Sequence, residues 1–162
     1  FQSSDRAAEL LWNAPNEWHP SGADSRPAKG VLLVHGLGDS PWTFHDLAPQ
    51  LAAQGFLVRT VLLPGHGTRP EDMMEITLDD WRRVVQEQAE ALRRDVGQVY
   101  LGGFSTGANL VVEYAYANPA LMDTVDFLEK YAEQQGGDAY RICAIGIHAA
   151  DKVYVVTLTC YP

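Results

Sequence analysis

The residues best suited to chemistry form a G-x-S-x-G motif at positions 103–107, centred on Ser105. Residues 98–102 before it are typical of a short buried strand, and residues 108–115 after it are typical of a helix. A serine on a sharp strand-to-helix turn is a nucleophile elbow, because the glycines let strand and helix approach closely and the hydroxyl stands clear of the sheet. The motif therefore predicts a nucleophilic Ser105. The alternative is a glycine-rich turn that happens to contain a serine.

A second glycine-rich segment, HGLG at residues 35–38, follows the first apolar run of the chain. In a parallel sheet this loop and Ser105 share the carboxyl-end edge, where ligands bind. Serine acyl transfer needs two N–H donors for the oxyanion of the tetrahedral intermediate. The predicted donors of this oxyanion hole are the backbone amides of Leu37 and Thr106. The side chain of His35 is interpreted as packed under the loop rather than as a catalytic group.

The elements that must position these residues alternate between strand and helix. Such alternation indicates parallel βαβ units and predicts an α/β fold: a three-layer α/β/α arrangement around a mostly parallel sheet. Helix boundaries carry local signals, with Ser40 and Pro41 at one start and Thr77 with Asp80 as a capping box at another. The predicted strands are 31–34, 56–63 and 99–104, and the predicted helices are 40–54, 77–96 and 106–117.

Composition excludes several classes of function. The net charge is −9, from 21 acidic and 12 basic residues, so nucleic acid is not an expected partner. No run of 18 apolar residues is present, so no transmembrane segment is predicted. The spacing of His and Cys does not suit zinc, so no metal is expected. Cys143 and Cys160 are interpreted as buried small hydrophobes, with a disulfide as the alternative in an oxidising compartment.

The length of 162 residues suits one domain spanning 1–162. Residues 1–28 are polar and rich in turn-forming residues, with Pro15, Pro20, Gly22 and Pro27, and are expected to wrap the surface and to contribute a short edge strand. The chain starts at Phe1 rather than Met, which suggests a removed or missing N-terminal segment. The sequence does not decide between a cytoplasmic protein and a protein exported after loss of such a segment.

Three segments, 34–40, 63–68 and 102–108, resemble the α/β-hydrolase family in order and spacing, over about residues 28–119. The chain looks most like its esterases and monoacylglycerol-lipase-type hydrolases. The resemblance implies a serine nucleophile, two oxyanion amides, no cofactor and no metal, and an apolar acyl pocket commonly covered by a cap. Trp42 and Phe44 would line that pocket, with ordinary core packing as the alternative. His66 is interpreted as a residue that orders its loop.

Residues 120–162 depart from the family pattern. A helix is predicted over 121–135, and strands are predicted over 141–147 and 153–160, joined as a hairpin. A serine hydroxyl needs a base, and the one histidine after Ser105 is His148. The order Ser, acid, His makes Asp126 or Asp138 the formal acid, and Asp151 stays open because geometry rather than order defines a triad. The sequence places Asp126 and His148 provisionally in these roles.

These observations predict a serine hydrolase that cleaves a small-molecule ester or lipid-like substrate through an acyl-enzyme on Ser105. The alternative is a non-catalytic, truncated or minimal hydrolase core that lacks a complete triad and acts as a binding module or needs a partner. A shortened sheet would expose an edge, so a homodimer is also predicted.

Overall fold

The computed structural model describes residues 11–22, 26–118, 147–148 and 153–158, which contain a six-stranded sheet with helices against both faces. The strands are β1 (Glu17–Trp18), β2 (Lys29–Val34), β3 (Phe56–Val61), β4 (Gln98–Phe104), β5 (Ile147–His148) and β6 (Val153–Leu158). The helices that position the site are α1 (Leu47–Ala53), α2 (Leu78–Asp95) and α3 (Thr106–Ala117), with 3-10 helices at Pro41–Phe44 and Pro70–Met73. None of the described helices is long and apolar enough to cross a membrane.

The strands lie in the order β1-β3-β2-β4-β6-β5. The four inner strands are parallel, and β1 and β5 pair antiparallel at the two edges. Val34 at the end of β2 is level with Val61 of β3 and Gly103 of β4. The loops that follow these three strands therefore leave the sheet at one edge. The predicted α/β class with a mostly parallel sheet is confirmed.

The central strand β2 contributes to both faces of the core because successive side chains of a strand point in opposite directions. Leu32 and Val34 pack with α2 and α3, whereas Val31 and Leu33 pack with α1 and the first 3-10 helix. Burying a leucine or valine side chain stabilises the fold by about 1.5–3 kcal/mol. Two apolar layers thus cover the sheet and fix the edge from which the loops emerge.

The long helix α2 forms as its sequence signals predict. Thr77 accepts a hydrogen bond from the Asp80 amide through its side chain, and the Asp80 carboxylate accepts one from the Thr77 amide in return. These bonds satisfy orphan donors in the first turn. Helix α3 also occupies its predicted span, so the helix after Ser105 begins at Thr106.

The single helix predicted from Ser40 onward is wrong. Ser40 does cap a helix, accepting from the Trp42 amide, but that helix is a single 3-10 turn that ends at Phe44. A separate helix begins at Leu47. Pro49 explains the break, because proline lacks an N–H and clashes with the carbonyl four residues earlier in a continuous helix. Restarting at Leu47 places Pro49 in a first turn, where no such bond is needed.

The N-terminal region supplies an edge strand, as predicted. Glu17 and Trp18 pair with Arg59 and Val58 of β3. The Arg59 guanidinium also contacts the carboxylates of Glu17 and Asp95 at 2.5 and 2.8 Å. These contacts hold the start of the chain against the sheet.

The predicted C-terminal hairpin is described in part. Strand β6 pairs parallel with β4, and β5 pairs antiparallel with β6. The predicted strand over 153–160 is described from Val153 to Leu158, and the predicted strand over 141–147 overlaps β5 only at Ile147. The predicted helix over 121–135 and both cysteines lie outside the described residues.

Candidate active site

Ser105 lies at the junction between β4, which ends at Phe104, and α3, which begins at Thr106. Its backbone has φ 51° and ψ −115°, and it is the one non-glycine residue of the described chain with positive φ. Such a conformation costs on the order of 1–3 kcal/mol and persists only when the surroundings impose it. The residue is exposed and its side chain makes no capping bond to α3. The hydroxyl is therefore presented at the carboxyl-end edge of the sheet.

Two glycines create the close approach that imposes this turn. A Cβ on Gly103 would lie 2.4 Å from the carbonyl carbon of Gly107, and a Cβ on Gly107 would lie 2.1 Å from the Val34 oxygen. Both distances are far below any tolerated contact, and the atoms concerned belong to the backbone. The first turn of α3 consequently packs directly on the ends of β2 and β4. The strand-turn-helix arrangement predicted from the motif is present.

The amide of Thr106 belongs to the first turn of α3, where N–H groups have no acceptor within the helix. The positive end of the helix macrodipole lies at the same place. The Ser105 carbonyl already accepts the Asn109 amide at 3.2 Å, as expected at a helix start. An anion above Ser105 would thus meet an N–H group and a favourable field.

The second predicted amide, that of Leu37, lies in a turn over residues 36–39. The Asp39 amide donates to the Gly36 carbonyl at 3.3 Å, and Gly38 has φ 71°. Gly36 packs against Phe104, since a Cβ there would lie 2.9 Å from the phenyl ring. The 36–39 turn is therefore held beside the end of β4, next to Ser105.

His35 anchors this turn from below and is not placed for catalysis. It is fully buried, its Nε2 accepts the Leu63 amide at 3.0 Å, and its Nδ1 lies 2.8 Å from the Gly36 carbonyl. These partners require the tautomer with the proton on Nδ1. Burial lowers the pKa of His35 to about 4, against a smaller raising effect of the Gly36 bond, so the ring is neutral at pH 7. The sequence-based interpretation of His35 agrees with this geometry.

His66 orders the loop that follows β3. Its Nδ1 lies 3.2 Å from the Pro64 carbonyl, and its ring contacts those of His35 and Trp81 at centroid distances of 5.0 and 5.4 Å. Trp81 also donates its indole N–H to Pro64 at 3.0 Å. The buried Nε2 of His66 has no hydrogen-bond partner within the described part of the chain. The loops after β2 and β3 are thus joined through two histidines.

The two predicted pocket residues have different positions. Phe44 is only 4% exposed and packs in the core with Val31 and Ala48, which is the alternative the sequence left open. Trp42 is 45% exposed and lies between two other rings. Trp12 stacks on it at 5.0 Å and His45 at 4.3 Å. Trp42 alone of the pair presents an apolar surface to solvent near the 36–39 turn.

The strand register does not bring His148 and Ser105 together. His148 is level with Tyr154 of β6, which is level with Tyr100 of β4. Ser105 follows Tyr100 by five positions, about 16 Å along a strand at ~3.3 Å per residue, and β5 lies two strands away, a further ~10 Å. This register gives no support to the provisional role of His148 as the base, which stays a prediction, because β5 pairs antiparallel with β6 at the level of Tyr100. Asp126, Asp138 and Asp151 lie outside the described residues.

The sequence analysis missed two residues beside the site. Trp12 stacks on Trp42, and the Asn13 side chain donates to the Gly67 carbonyl at 2.9 Å. The one signal in this N-terminal segment is the short apolar run of Leu10, Leu11 and Trp12. No group of three or more His, Cys, Asp or Glu side chains in the described residues is arranged to hold a metal ion.

Comparison with known proteins agrees with this geometry. A sequence profile of the Alpha/beta hydrolase family matches residues 31–155. A thermostable monoacylglycerol lipase from Bacillus sp. (strain H-257) is 35% identical over 106 residues, which cover 65% of this chain and 42% of the lipase. The chain thus spans less than half the length of the curated relatives it matches.

Solved structures give a similar result. A structure of metagenome-derived lipolytic enzymes, LipS and LipT, aligns with a TM-score of 0.59 and 27% identity, covering 93% of this chain and 62% of that one. The thioesterase domain from the curacin biosynthetic pathway aligns with a TM-score of 0.53 and 22% identity, covering 75% of this chain and 45% of that one. The second likeness concerns the fold alone.

Proposed function

Because the chain belongs to the alpha/beta hydrolase family, whose profile matches residues 31–155, we propose that it is a serine hydrolase of carboxylic esters. The observation that carries this proposal is the backbone of Ser105, an exposed serine held at φ 51° between β4 and α3. Gly103 and Gly107 permit this turn, because a Cβ on either one would overlap backbone atoms. In this proposal the turn is a nucleophile elbow.

The proposed reaction has two halves. The Ser105 Oγ attacks the ester carbonyl carbon and gives its proton to a base, and the carbonyl oxygen becomes an oxyanion. The amides of Leu37 and Thr106 would donate to that oxyanion, which acyl transfer requires. The intermediate collapses as the bond to the alkoxy oxygen breaks, and the alcohol leaves with the proton. Water then attacks the acyl-enzyme by the same route and releases the acid.

The proposed substrate is a small-molecule or lipid-like ester. Its support is the similarity to a bacterial monoacylglycerol lipase and to metagenome-derived lipolytic enzymes, together with the exposed apolar surface of Trp42 near the 36–39 turn. Phe44 is left out of the proposed substrate surface because it is buried in the core. The cleavable bond would lie between Leu37 and Ser105, with apolar groups directed toward Trp42.

Activation of Ser105 is the part that the described residues do not supply. Of the five histidines of the chain, His148 lies down the sheet and His19 sits beside β1 against Glu17. The other three are held by local contacts: both ring nitrogens of His35 and of His45 meet partners, and His66 is buried under its loop. This distribution favours a second candidate function, a hydrolase-like domain that needs a partner chain for activity or acts as a binding module.

Intact-mass spectrometry with a fluorophosphonate probe separates the two candidates. The wild-type chain is expected to gain one adduct, and Ser105→Ala is expected to gain none, because only an activated serine reacts with the probe. A folded wild-type chain without an adduct would contradict the enzyme proposal for the isolated protein and support the second candidate. A matched control is Ser40→Ala, which removes a different serine hydroxyl at the same sheet edge and is expected to leave the adduct intact.

A homodimer is also proposed, because the sheet ends in an edge strand that a second copy could pair with. Strand β5 lies at the edge of the sheet and contributes two residues, Ile147 and His148. An edge strand has unpaired backbone N–H and C=O groups on its outer side, which a second copy could pair. Sedimentation at micromolar concentration is expected to give twice the monomer mass of 17.9 kDa, and the monomer mass would contradict the proposal.

A further inference from the structure

The N-terminal segment of residues 11–18, which we call the strap, is anchored on strand β3. The Asn16 amide donates to the Thr60 hydroxyl at 2.9 Å, and the Thr60 amide donates to the Asn16 carbonyl at 2.9 Å. Glu17 pairs with Arg59 through the backbone and also accepts a hydrogen bond from its guanidinium at 2.7 Å. These contacts fix one end of the strap. The other end reaches the loops at the carboxyl-end edge of the sheet.

Trp12 contacts the segment that follows the 36–39 turn. Its ring stacks on the ring of Trp42, with centroids 5.0 Å apart and 14° between the planes. His45 also stacks on Trp42, at 4.3 Å and 3°. The 3-10 helix that carries Trp42 is held from the core side as well, because Phe44 is buried there. Trp12 therefore adds a contact from the outside to the residues that immediately follow the turn.

Asn13 makes a second contact, with the loop after β3. Its side-chain amide donates to the Gly67 carbonyl at 2.9 Å. The two residues are so close that a Cβ on Gly67 would lie 3.0 Å from the Asn13 Cβ. Asn13, Gly38 and Gly67 line one cleft of about 440 Å³. The strap, the 36–39 turn and the loop after β3 thus meet at the same place.

The middle of the 36–39 turn has few contacts of its own. Leu37 is 58% exposed, and no atom lies within 4 Å of the position that a Cβ on Gly38 would occupy. The turn is held at its ends, by the buried Gly36 and by Asp39, whose carboxylate accepts the Ser40 amide at 2.8 Å. Backbone with few buried contacts moves most readily. The direction of the Leu37 N–H therefore depends on how firmly the residues after the turn are held.

We propose that Trp12 and Asn13 are positioning residues for the Leu37 amide. The strap holds the segment after the 36–39 turn next to the loop after β3, and so keeps that N–H directed at the oxyanion. The proposal rests on the proposed function, in which the Leu37 amide is an oxyanion donor. Such donors act only when they are preorganised, and a misplacement of about 1 Å costs about 10²-fold in rate. Neither Trp12 nor Asn13 contacts the reacting atoms.

A double-mutant cycle on a short, water-soluble ester tests this link. Trp12→Ala is expected to lower kcat about tenfold and to change KM less than about twofold, because the donor is loosened rather than removed. Leu37→Pro lacks the N–H altogether. If the strap acts through that N–H, Trp12→Ala is expected to cost nothing further in the Leu37→Pro background. A tenfold loss in both backgrounds would overturn the proposal.

Four further variants separate positioning from stability. Trp12→Phe keeps a ring for the stack and is expected to retain the wild-type kcat, whereas Asn13→Ala is expected to lower it. Leu11→Ala is the matched control, since Leu11 adjoins Trp12 and is 79% exposed, and it is expected to leave kcat unchanged. Glu17→Gln removes the charge beside Arg59 and is expected to lower the urea midpoint without lowering kcat. A fall in kcat that follows the loss of stability across all these variants would make the strap merely structural and overturn the proposal.

The motion of the Leu37 amide gives a readout that needs no turnover. Its order parameter from ¹⁵N relaxation is expected to be near ~0.85 in the wild type, as in rigid backbone, and to fall below ~0.6 in Trp12→Ala. Leu11→Ala is expected to match the wild type. Equal order parameters in the wild type and Trp12→Ala would overturn the proposal, whatever the rates are.

The two proposals fail separately. A wild-type chain without a fluorophosphonate adduct, in which Trp12→Ala still lowers the order parameter of Leu37, removes the enzyme proposal and leaves the strap as the support of the turn. An adduct on the wild type, with equal kcat for the wild type and Trp12→Ala, removes the positioning role and leaves the hydrolase.

Discussion

The two sides of the candidate site differ in how they are built. On one side, the first turn of α3 meets the end of β2 through backbone atoms, with Gly107 against Val34, and Gly36 packs against the ring of Phe104. On the other side, β6 pairs with β4 and β5 pairs with β6, and their register places His148 level with Tyr100. The contacts described for the first side are steric, whereas those described for the second are strand pairing. The described contacts therefore constrain Ser105 more tightly than His148.

This difference has a physical cause. At Gly103 and Gly107 the backbones of β2, β4 and α3 are so close that a Cβ on either glycine would overlap neighbouring atoms. Such close packing leaves one arrangement of the strands and the helix. Strand pairing, in contrast, allows several registers unless a buried face selects one. The geometry of the serine side is thus fixed residue by residue, whereas that of the histidine side depends on how far down the sheet the last strands pair.

The largest expected effect tests the steric side of this comparison. Gly107→Ala would place a Cβ 2.1 Å from the Val34 oxygen, and neither backbone can yield without separating α3 from β2. We expect a loss of more than about 3 kcal/mol in the free energy of unfolding, measured by urea denaturation.

The control for this prediction is Gly22→Ala. Gly22, unlike Gly107, has a positive φ, 78°, and no atom lies within 4 Å of the position that a Cβ would occupy there. Its substitution is expected to cost about 1–2 kcal/mol from the left-handed conformation alone. A loss at Gly107 no larger than that at Gly22 would show that the close approach of α3 to β2 does not constrain the Ser105 turn.

The second prediction concerns the chemistry of the same side. Leu37→Pro removes one N–H, and proline is compatible with the second position of a four-residue turn. If the Leu37 amide holds the oxyanion, we expect the rate of ester hydrolysis to fall about 10²–10³-fold. Initial rates with a short-chain nitrophenyl ester measure this.

Leu37→Ala separates the amide from the side chain, because it keeps the N–H and removes the isobutyl group. Its rate is expected to stay close to that of the wild type on a short, water-soluble ester. Similar losses in both variants would show that the Leu37 side chain, and not its amide, matters for the reaction.

Much of the structure around Ser105 can be predicted from sequence, because the residues that encode each element lie next to one another in the chain. The glycines around Ser105, the Thr77 capping box and the apolar runs each encode one element, and the resulting strand-turn-helix order is as predicted. The helix break at Pro49 was also encoded locally, although the apolar spacing of residues 44–51 suggested a continuous helix. The apolar spacing favours one helix, whereas the missing N–H of Pro49 favours two, and the structure has two.

The rest depends on tertiary contacts that no local pattern encodes. The stack of Trp12 on Trp42 joins residues 30 positions apart in sequence, and the level of His148 in the sheet depends on β6 pairing with β4. A histidine at a strand end is an ambiguous signal until the strand direction is known. In a parallel strand it would lie at the ligand edge, whereas in antiparallel β5 it does not.

The third prediction tests the link between the loops after β2 and β3. The neutral ring of His35 joins them, and its pKa is lowered to about 4 chiefly by burial, while an unfolded chain has a His pKa near 6.5. The unfolded state therefore binds more protons between these values, and stability falls as the pH drops from about 6.5 to about 4. The expected loss from this group is about 3 kcal/mol.

Urea denaturation at several pH values measures the effect against His35→Gln, which retains a donor and an acceptor but does not titrate. The variant is expected to lose less stability over the same range, and the difference between the curves isolates His35 from the carboxylates. Parallel curves would mean that His35 has the same pKa in the folded and unfolded states, so that its ring takes up a proton on acidification without loss of stability.

The smallest expected effect tests the other side of the comparison. Because the register separates His148 from Ser105 by roughly 16 Å along the strand and two strands across, His148→Ala is expected to change the rate of fluorophosphonate labelling by less than about twofold. The labelling rate is measured by intact-mass spectrometry over time, and Ser105→Ala gives the rate expected without the serine. A tenfold or larger loss with an unchanged unfolding midpoint would show that His148 reaches Ser105. The hairpin would then pair in another register in solution, and the histidine side would be the part of the molecule that rearranges.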